Sequence, residues 1–143
     1  MRRFPKFDKI VDIDVGCGKS KLQGYIGLDA IDYGQDILWD VRDGLPFPDS
    51  SLDSVFSCHF LEHLTDDEAL AFLHEVFRVL KVGGKTGHRL PHLGADTAFL
   101  IGHKSLWNTL RIKNIPRIVG LETLKVMRNE RLGMELLFDL IKT

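Results

Sequence analysis

Short apolar runs, separated by polar segments, occupy the first 90 residues of the chain. The first run, at residues 10–15, holds four β-branched residues and ends at Gly16-Cys17-Gly18. Such a run is typical of a strand buried on both faces. Similar runs predict further strands at residues 25–28, 36–40 and 52–58. We therefore predict a largely parallel sheet whose first strand ends in a tight glycine turn, at the edge where such sheets bind ligands.

One long helix is predicted after the fourth strand. Thr65 is a suitable N-cap, and Glu68 stands three residues later, where a capping box requires it. Apolar residues then recur at helical spacing, at Leu70, Leu73, Phe77 and Leu80. The pair Gly83-Gly84 is expected to end this helix.

Beyond the helix the pattern is less regular. A fifth strand is predicted at residues 85–90, although Gly87-His88-Arg89 suits a buried strand poorly. A helix at residues 105–112, a strand at 118–127 and a closing helix at 134–141 follow. The sequence thus predicts an α/β fold with a mostly parallel sheet and an abbreviated C-terminal part.

Length and charge restrict the class of protein. The 143 residues form one expected domain, residues 1–143, with a net charge of -1, which argues against a general nucleic-acid binder. No apolar run approaches the roughly 20 residues that span a bilayer, and the start lacks a signal peptide, so we expect a cytoplasmic protein outside the membrane. Cys17 and Cys58 lack metal-ligand spacing, so we expect free thiols and no metal site.

Three carboxylates end, or nearly end, the first three predicted strands: Asp14, Asp29 and Asp40. Asp29 is placed to accept hydrogen bonds from both hydroxyls of a ribose, which suits an adenosine-containing ligand. An aspartate in such a loop is more often a turn cap. A nicotinamide-dependent oxidoreductase is a weak alternative, because Lys21 stands where its motif has a third glycine and the acidic residue arrives too early.

Several motifs together resemble a known family. They comprise Asp14-Val15-Gly16-Cys17-Gly18, the strand-end Asp29, Asp40, residues 45–64 and residues 76–85. In this combination the chain is similar to class I S-adenosylmethionine-dependent methyltransferases, within the short type 11 group, over residues 10–85. The resemblance implies a Rossmann-like, doubly wound sheet with helices on both faces, S-adenosylmethionine as cofactor, and a small molecule as methyl acceptor.

The resemblance also implies roles for single residues. Asp14 would hold the amino group of the cofactor's methionine part, and Gly16, Cys17 and Gly18 would let the cofactor lie against the backbone. Asp29 would bind the ribose, Asp40 would accept a hydrogen bond from the adenine amine, and Val41 would contact the ring. Cys58 and His59 would line the side of the methyl donor. Glu62 and His63 match an E-H motif of this group, and for Glu62 a structural role is favoured.

Methyl transfer requires little of the side chains, since the sulfonium donor is already activated and positioning supplies most of the acceleration. A general base is needed only if the acceptor carries a proton. By residue type the candidates are His59, His63, His88 and His92. His63 is the first choice and His59 the second, because both follow the fourth strand.

The chain also departs from the family pattern. Valine replaces the usual proline at Val82, the fifth strand is interrupted, and no seventh strand is evident. These departures motivate a second hypothesis, a cofactor-binding or partner-binding protein without catalysis. A missing strand would leave a sheet edge open and apolar residues from Ile115 onward in water, so we predict a homodimer that covers them.

Overall fold

The computed structural model describes residues 11–91, Asn114, residues 118–129 and residues 135–143. Helix α1 spans Asp66–Val79, and two 3₁₀ turns cover Val41–Asp43 and Leu61–His63. The strands are β1 (Asp12–Val15), β2 (Ile26–Asp29), β3 (Ile37–Leu38), β4 (Leu52–Cys58), β5 (Leu80–Pro91), β6 (Glu122–Asn129) and β7 (Glu135–Ile141).

The seven strands form one sheet in the order β3-β2-β1-β4-β5-β7-β6. Strands β1 to β5 are parallel, and β7 runs antiparallel to β5 and β6. Ile13 of the central β1 pairs with Ile26 on one side and Val55 on the other, and all three stand in apolar surroundings. The strand order reverses beside β1, which opens a crevice at the carboxyl ends of the strands. This arrangement confirms the predicted Rossmann-like, mostly parallel sheet.

The predicted helix at residues 134–141 is wrong, because Glu135–Ile141 is strand β7. Phe138 and Leu140 are buried while Asp139 is exposed, which is the two-residue period of a strand. The strand fills the place between β5 and β6. The expectation that the seventh strand is missing is therefore also wrong, and the sheet edge that we expected to be open is paired.

Two boundaries also differ from the prediction. Helix α1 ends at Val79, and Gly83-Gly84 belongs to β5, where Gly83 has a φ of 85° and donates to the Lys142 carbonyl at 2.6 Å. The predicted strand at residues 118–127 begins only at Glu122, after a helical Ile118 and Val119. The predicted helix at residues 105–112 lies outside the described residues.

The segment Gly87-His88-Arg89 forms part of β5, although its sequence suits a buried strand poorly. Gly87 fits because a side chain there would lie 2.8 Å from an Asp139 carboxylate oxygen. His88 is buried, with its Nδ1 2.5 Å from the Ser57 hydroxyl and its Nε2 2.7 Å from the Thr86 hydroxyl. The Thr86 hydroxyl donates to the Val55 carbonyl, so it accepts from Nε2–H, and Nδ1 accepts from Ser57. Hydrogen bonds thus make a polar side chain compatible with a buried strand.

The predicted capping box of α1 is present and is testable. The Glu68 amide donates to the Thr65 hydroxyl at 3.2 Å, and the Thr65 amide donates to the Glu68 carboxylate at 3.0 Å. We expect Thr65→Ala to lower the free energy of unfolding by about 1 kcal/mol, measured by urea unfolding. Thr65→Ser keeps the oxygen and should remain close to wild type. Equal stability of the alanine and serine variants would contradict the role of this cap.

Candidate functional site

A cavity of about 550 Å³ lies at the carboxyl ends of the first strands, within the size range of small-molecule sites. Four segments form it: the glycine turn after β1, the end of β2 with its loop, the 3₁₀ turn after β3, and the segment after β4. Its lining residues are Gly16, Gly18, Leu28, Asp29, Ala30, Ile31, Tyr33, Trp39, Asp40, Val41, Arg42, His59, Phe60, His63, Leu64 and Glu68.

The glycine turn brings backbone close to this cavity. Gly16 and Gly18 have φ values of 66° and 57°, in the left-handed region that favours glycine. The Gly16 amide donates to the Leu28 carbonyl at 2.8 Å, which ties the turn to β2. A side chain on Gly16 would overlap the ring of Phe60, whose Cγ would lie 2.7 Å from the added Cβ. Only glycine therefore fits between β1 and Phe60.

Asp29 joins the two loops that form one wall of the cavity. One carboxylate oxygen accepts from the Gly18 amide at 2.9 Å, and the other accepts from the Ile31 amide at 3.0 Å. An ionised carboxylate can accept about four hydrogen bonds, so these two leave capacity for a ligand. Asp29 thus combines a turn-capping role with a position in the cavity.

Asp40 caps the 3₁₀ turn and pairs with Arg42. Its carboxylate accepts from the Arg42 amide at 2.9 Å, and from the guanidinium Nη2 at 2.6 Å. The side-chain hydrogen bonds from Arg42 hold the pKa of Asp40 below its usual value, so this carboxylate stays ionised at neutral pH. Val41, between them, is buried and presents an apolar surface. An acceptor and an apolar contact therefore stand side by side in the cavity.

Three residues assigned to the cofactor by resemblance do not line the cavity: Asp14, Cys17 and Cys58. Asp14 is 4% exposed, and its carboxylate accepts from the Leu22 amide at 2.9 Å, behind the glycine turn. Burial raises the pKa of Asp14 and of the Cys17 thiol. Both cysteines are free thiols. Asp14 thus fixes the path of the chain after the turn.

The segment after β4 contributes two histidines and a phenylalanine to the cavity wall. His59 has a φ of 53°, which is uncommon for a residue other than glycine, and its amide donates to the Arg89 carbonyl at 2.8 Å. His59 and His63 are about half exposed, while Glu62 between them is 2% exposed. Of the other histidine candidates, His88 is buried in the sheet, and His92 lies outside the described residues.

Sequence reasoning did not select several residues that line the cavity. Tyr33, Trp39 and Phe60 supply aromatic surface, and Arg42 and Glu68 supply charge. Phe60 stands inside the C-H-F-L-E-H motif, which is the one signal that could have identified it. The others lie on loops whose position depends on the folded sheet.

The described part of the chain offers neither a metal site nor a membrane-spanning helix. Among residues 11–91, 114, 118–129 and 135–143, no group of three or more histidine, cysteine, aspartate or glutamate side chains could hold a metal ion. The helices in these ranges are too short or too polar to cross a membrane.

Comparisons with known proteins agree with this geometry. A family described as the methyltransferase domain matches residues 13–86, more than half of the chain. An Archaeoglobus fulgidus S-adenosylmethionine-dependent methyltransferase superposes with a TM-score of 0.78 at 16% identity, over 94% of this chain and 87% of that one. A methyltransferase in complex with the Haloferax volcanii Trm112 activator gives 0.75 at 18%, over 97% and 85%.

A third similar structure contains ligands. It is the Burkholderia thailandensis 1,6-didemethyltoxoflavin-N1-methyltransferase, with bound 1,6-didemethyltoxoflavin and S-adenosylhomocysteine, at a TM-score of 0.73 and 14% identity, over 93% of this chain and 71% of that one. Comparison with curated proteins gives no match. The chain belongs to the class I S-adenosylmethionine-dependent methyltransferases, and its cofactor is S-adenosylmethionine.

Proposed function

We propose that this protein transfers a methyl group from S-adenosylmethionine to a small molecule bound in the cavity described above. One observation carries the proposal: Asp29, Asp40 and Val41 meet in a cavity of about 550 Å³ at the carboxyl end of the sheet. A cavity of this size accepts a small molecule more readily than a polymer. The Burkholderia thailandensis enzyme, which has the same fold, methylates a molecule of that kind.

The arrangement fits the chemistry of the cofactor. Asp29 would bind the ribose hydroxyls, because it lines the cavity and its carboxylate has acceptor capacity left. Asp40 would accept from the adenine amine in exchange for one of its hydrogen bonds from Arg42, and Val41 would pack against the ring. Gly16 and Gly18 would allow close approach to the backbone. S-adenosylmethionine supplies an activated methyl group on a sulfonium, so the protein's task is to orient the acceptor.

Asp14, Cys17 and Cys58 have different roles in this proposal. The Asp14 carboxylate would act by holding the turn through Leu22, with any contact to the cofactor amino group made through water. Cys17 packs against Gly27, where an added side chain would lie 2.9 Å from its sulfur. It would therefore contribute packing beneath the turn. Cys58 would support His59, which it precedes in the chain.

The cofactor assignment is tested by calorimetric titration with S-adenosylhomocysteine. We expect Asp29→Ala to weaken binding by about 1.5–3 kcal/mol, the range for hydrogen bonds to a charged group. The matched control is Asp32→Ala, which removes the same charge from an exposed position in the same loop. Unchanged affinity of the Asp29 variant would remove the ribose assignment. Absence of binding to the wild type would overturn the proposed function.

A partner-binding protein without catalysis is the second candidate. The similarity to a methyltransferase in complex with the Trm112 activator favours the partner-binding part of this candidate, and not the absence of catalysis. A methyl-release assay on a metabolite pool, with and without added partner, separates the two candidates.

The prediction of a homodimer rested on an open sheet edge, but β7 pairs with β5 and β6. The homodimer therefore stays a prediction that no feature of the sheet supports. Cytoplasmic location likewise stays a prediction from composition.

A further inference from the structure

The acceptor positions of the Asp40 carboxylate are all occupied by one residue, Arg42. Oδ1 accepts from the Arg42 amide at 2.9 Å and from the guanidinium Nε at 3.0 Å. Oδ2 accepts from the same Nε at 3.0 Å and from Nη2 at 2.6 Å. An ionised carboxylate accepts about four hydrogen bonds, so these four contacts fill it. The guanidinium therefore stands where the adenine amine would bind.

The backbone contact and the side-chain contacts of Arg42 differ in how easily they are exchanged. Asp40 is the N-cap of the 3₁₀ turn, and its hydrogen bond from the Arg42 amide belongs to that cap. The guanidinium lies at the end of a side chain that is 57% exposed. An exposed ion pair contributes little free energy, so a ligand can replace it at small cost. Arg42 can thus release one edge of the Asp40 carboxylate while the turn keeps its cap.

Glu68 offers the displaced guanidinium a second partner. Its Oε2 lies 3.7 Å from the Arg42 Nε, within ion-pair range and beyond hydrogen-bond range. Glu68 lines the same cavity as Asp40 and Arg42, from the first turn of α1, and its Oε1 serves the capping box. A shortening of the contact with Arg42 to hydrogen-bond distance would turn a loose ion pair into a close one.

We propose that Arg42 closes the adenine subsite until a base with an exocyclic amine displaces its guanidinium from Asp40 to Glu68. This inference rests on the proposed function, and it makes Arg42 a specificity-determining residue of the cofactor site. A purine without the amine has no proton to give to Asp40 at that position, so it leaves the guanidinium in place. The exchange therefore favours adenine over purines that lack the amine.

Calorimetric titration of the full chain tests the displacement. The two ligands are S-adenosylhomocysteine and its deamino analogue, in which hydrogen replaces the amine of the base. Arg42→Met keeps the aliphatic stem and removes the guanidinium. We expect this variant to bind S-adenosylhomocysteine about two- to fivefold more tightly than wild type, the range for an exposed ion pair. The deamino analogue should bind both proteins equally. Equal tightening of both ligands, or of neither, overturns the inference.

A double-mutant cycle tests the role of Glu68. Glu68→Gln removes the charge and keeps an acceptor oxygen for the capping box. We expect it to weaken S-adenosylhomocysteine binding about two- to fivefold in wild type, and to have no effect beside Arg42→Met. The matched control is Asp67→Asn, which removes the same charge in the same helical turn, at an exposed position outside the cavity lining.

The outcomes separate this inference from the proposed function. If Glu68→Gln behaves like Asp67→Asn, or has the same effect with and without Arg42→Met, the transfer to Glu68 is wrong. A wild type that binds S-adenosylhomocysteine, with unchanged affinity in Arg42→Met, would overturn this inference and leave the proposed function standing. A wild type that binds neither ligand would overturn both. Urea unfolding of each variant checks that the proteins compared are folded.

Discussion

Gly16→Ala is expected to lower the free energy of unfolding by about 2–5 kcal/mol. Two effects add. The backbone at Gly16 has a φ of 66°, which costs about 1–2 kcal/mol for a residue with a Cβ. The added methyl group would also overlap the ring of Phe60, and overpacking of this kind costs about 1–3 kcal/mol. Urea unfolding of the purified variant measures the sum.

Gly24→Ala separates the two effects. Gly24 has a φ of 83° but nothing within 4 Å of an added Cβ, so its replacement costs only the backbone part. Combining Gly16→Ala with Phe60→Ala should restore part of the loss, because the ring is then absent. A coupling energy near zero between these two substitutions, or equal losses for Gly16→Ala and Gly24→Ala, would mean that Phe60 does not restrict the turn.

The first half of the fold was predictable because its signals are local. Strand β4 was predicted at residues 52–58 and spans Leu52–Cys58, since Leu52, Val55 and Phe56 form an apolar segment directly after the turn residues 48–51. The start of α1 was predicted from Thr65 and Glu68, which hydrogen-bond to each other's backbone within one turn. Neither prediction depends on a distant part of the chain.

Strand β7 was not predictable in this way. Its sequence, E-L-L-F-D-L-I, places apolar residues at spacings that suit a helix as well as a strand. The segment becomes a strand because β5 and β6 stand on either side and pair with it along its length. The residues of β5 that pair with β7 lie more than 40 positions earlier in the chain. A local sequence pattern therefore cannot predict that this segment is a strand.

The candidate site was predictable in part for the same reason. Asp29 and Asp40 follow parallel strands, and the carboxyl ends of such strands meet at one edge of a sheet. The direction of Asp14 was not predictable, because it depends on how the turn returns Leu22 toward β1. A structural role was favoured for Glu62, but its burial was beyond local reasoning, because neighbours in the sequence do not show which side of the segment faces the core.

The free energy of unfolding is expected to fall as the pH decreases from about 6.5 toward 3, because over this range His88 binds a proton only in the unfolded chain. Burial lowers the pKa of His88 from 6.5 to about 3 in the folded protein. Below pH 6.5 the unfolded state therefore binds a proton that the folded state excludes, so low pH favours unfolding. At about pH 4.5 the loss is about 2–3 kcal/mol, since each pH unit below 6.5 contributes about 1.4 kcal/mol.

Other groups titrate in the same range, so the comparison must isolate His88. Asp14 and Glu62 have raised pKa values and make the folded state relatively more stable as the pH falls, which opposes the effect of His88. Their contribution is the same in wild type and in His88→Gln and cancels in the difference.

We expect urea unfolding between pH 7 and about 4.5 to show a flatter pH dependence for His88→Gln than for wild type. Over this range the variant should lose about 2–3 kcal/mol less of its free energy of unfolding. His74→Gln removes an exposed histidine and should keep the wild-type slope. If His88→Gln and His74→Gln gave the same slope, His88 would have to bind its proton in the folded protein, and the Ser57 hydrogen bond to Nδ1 could not exist as assigned.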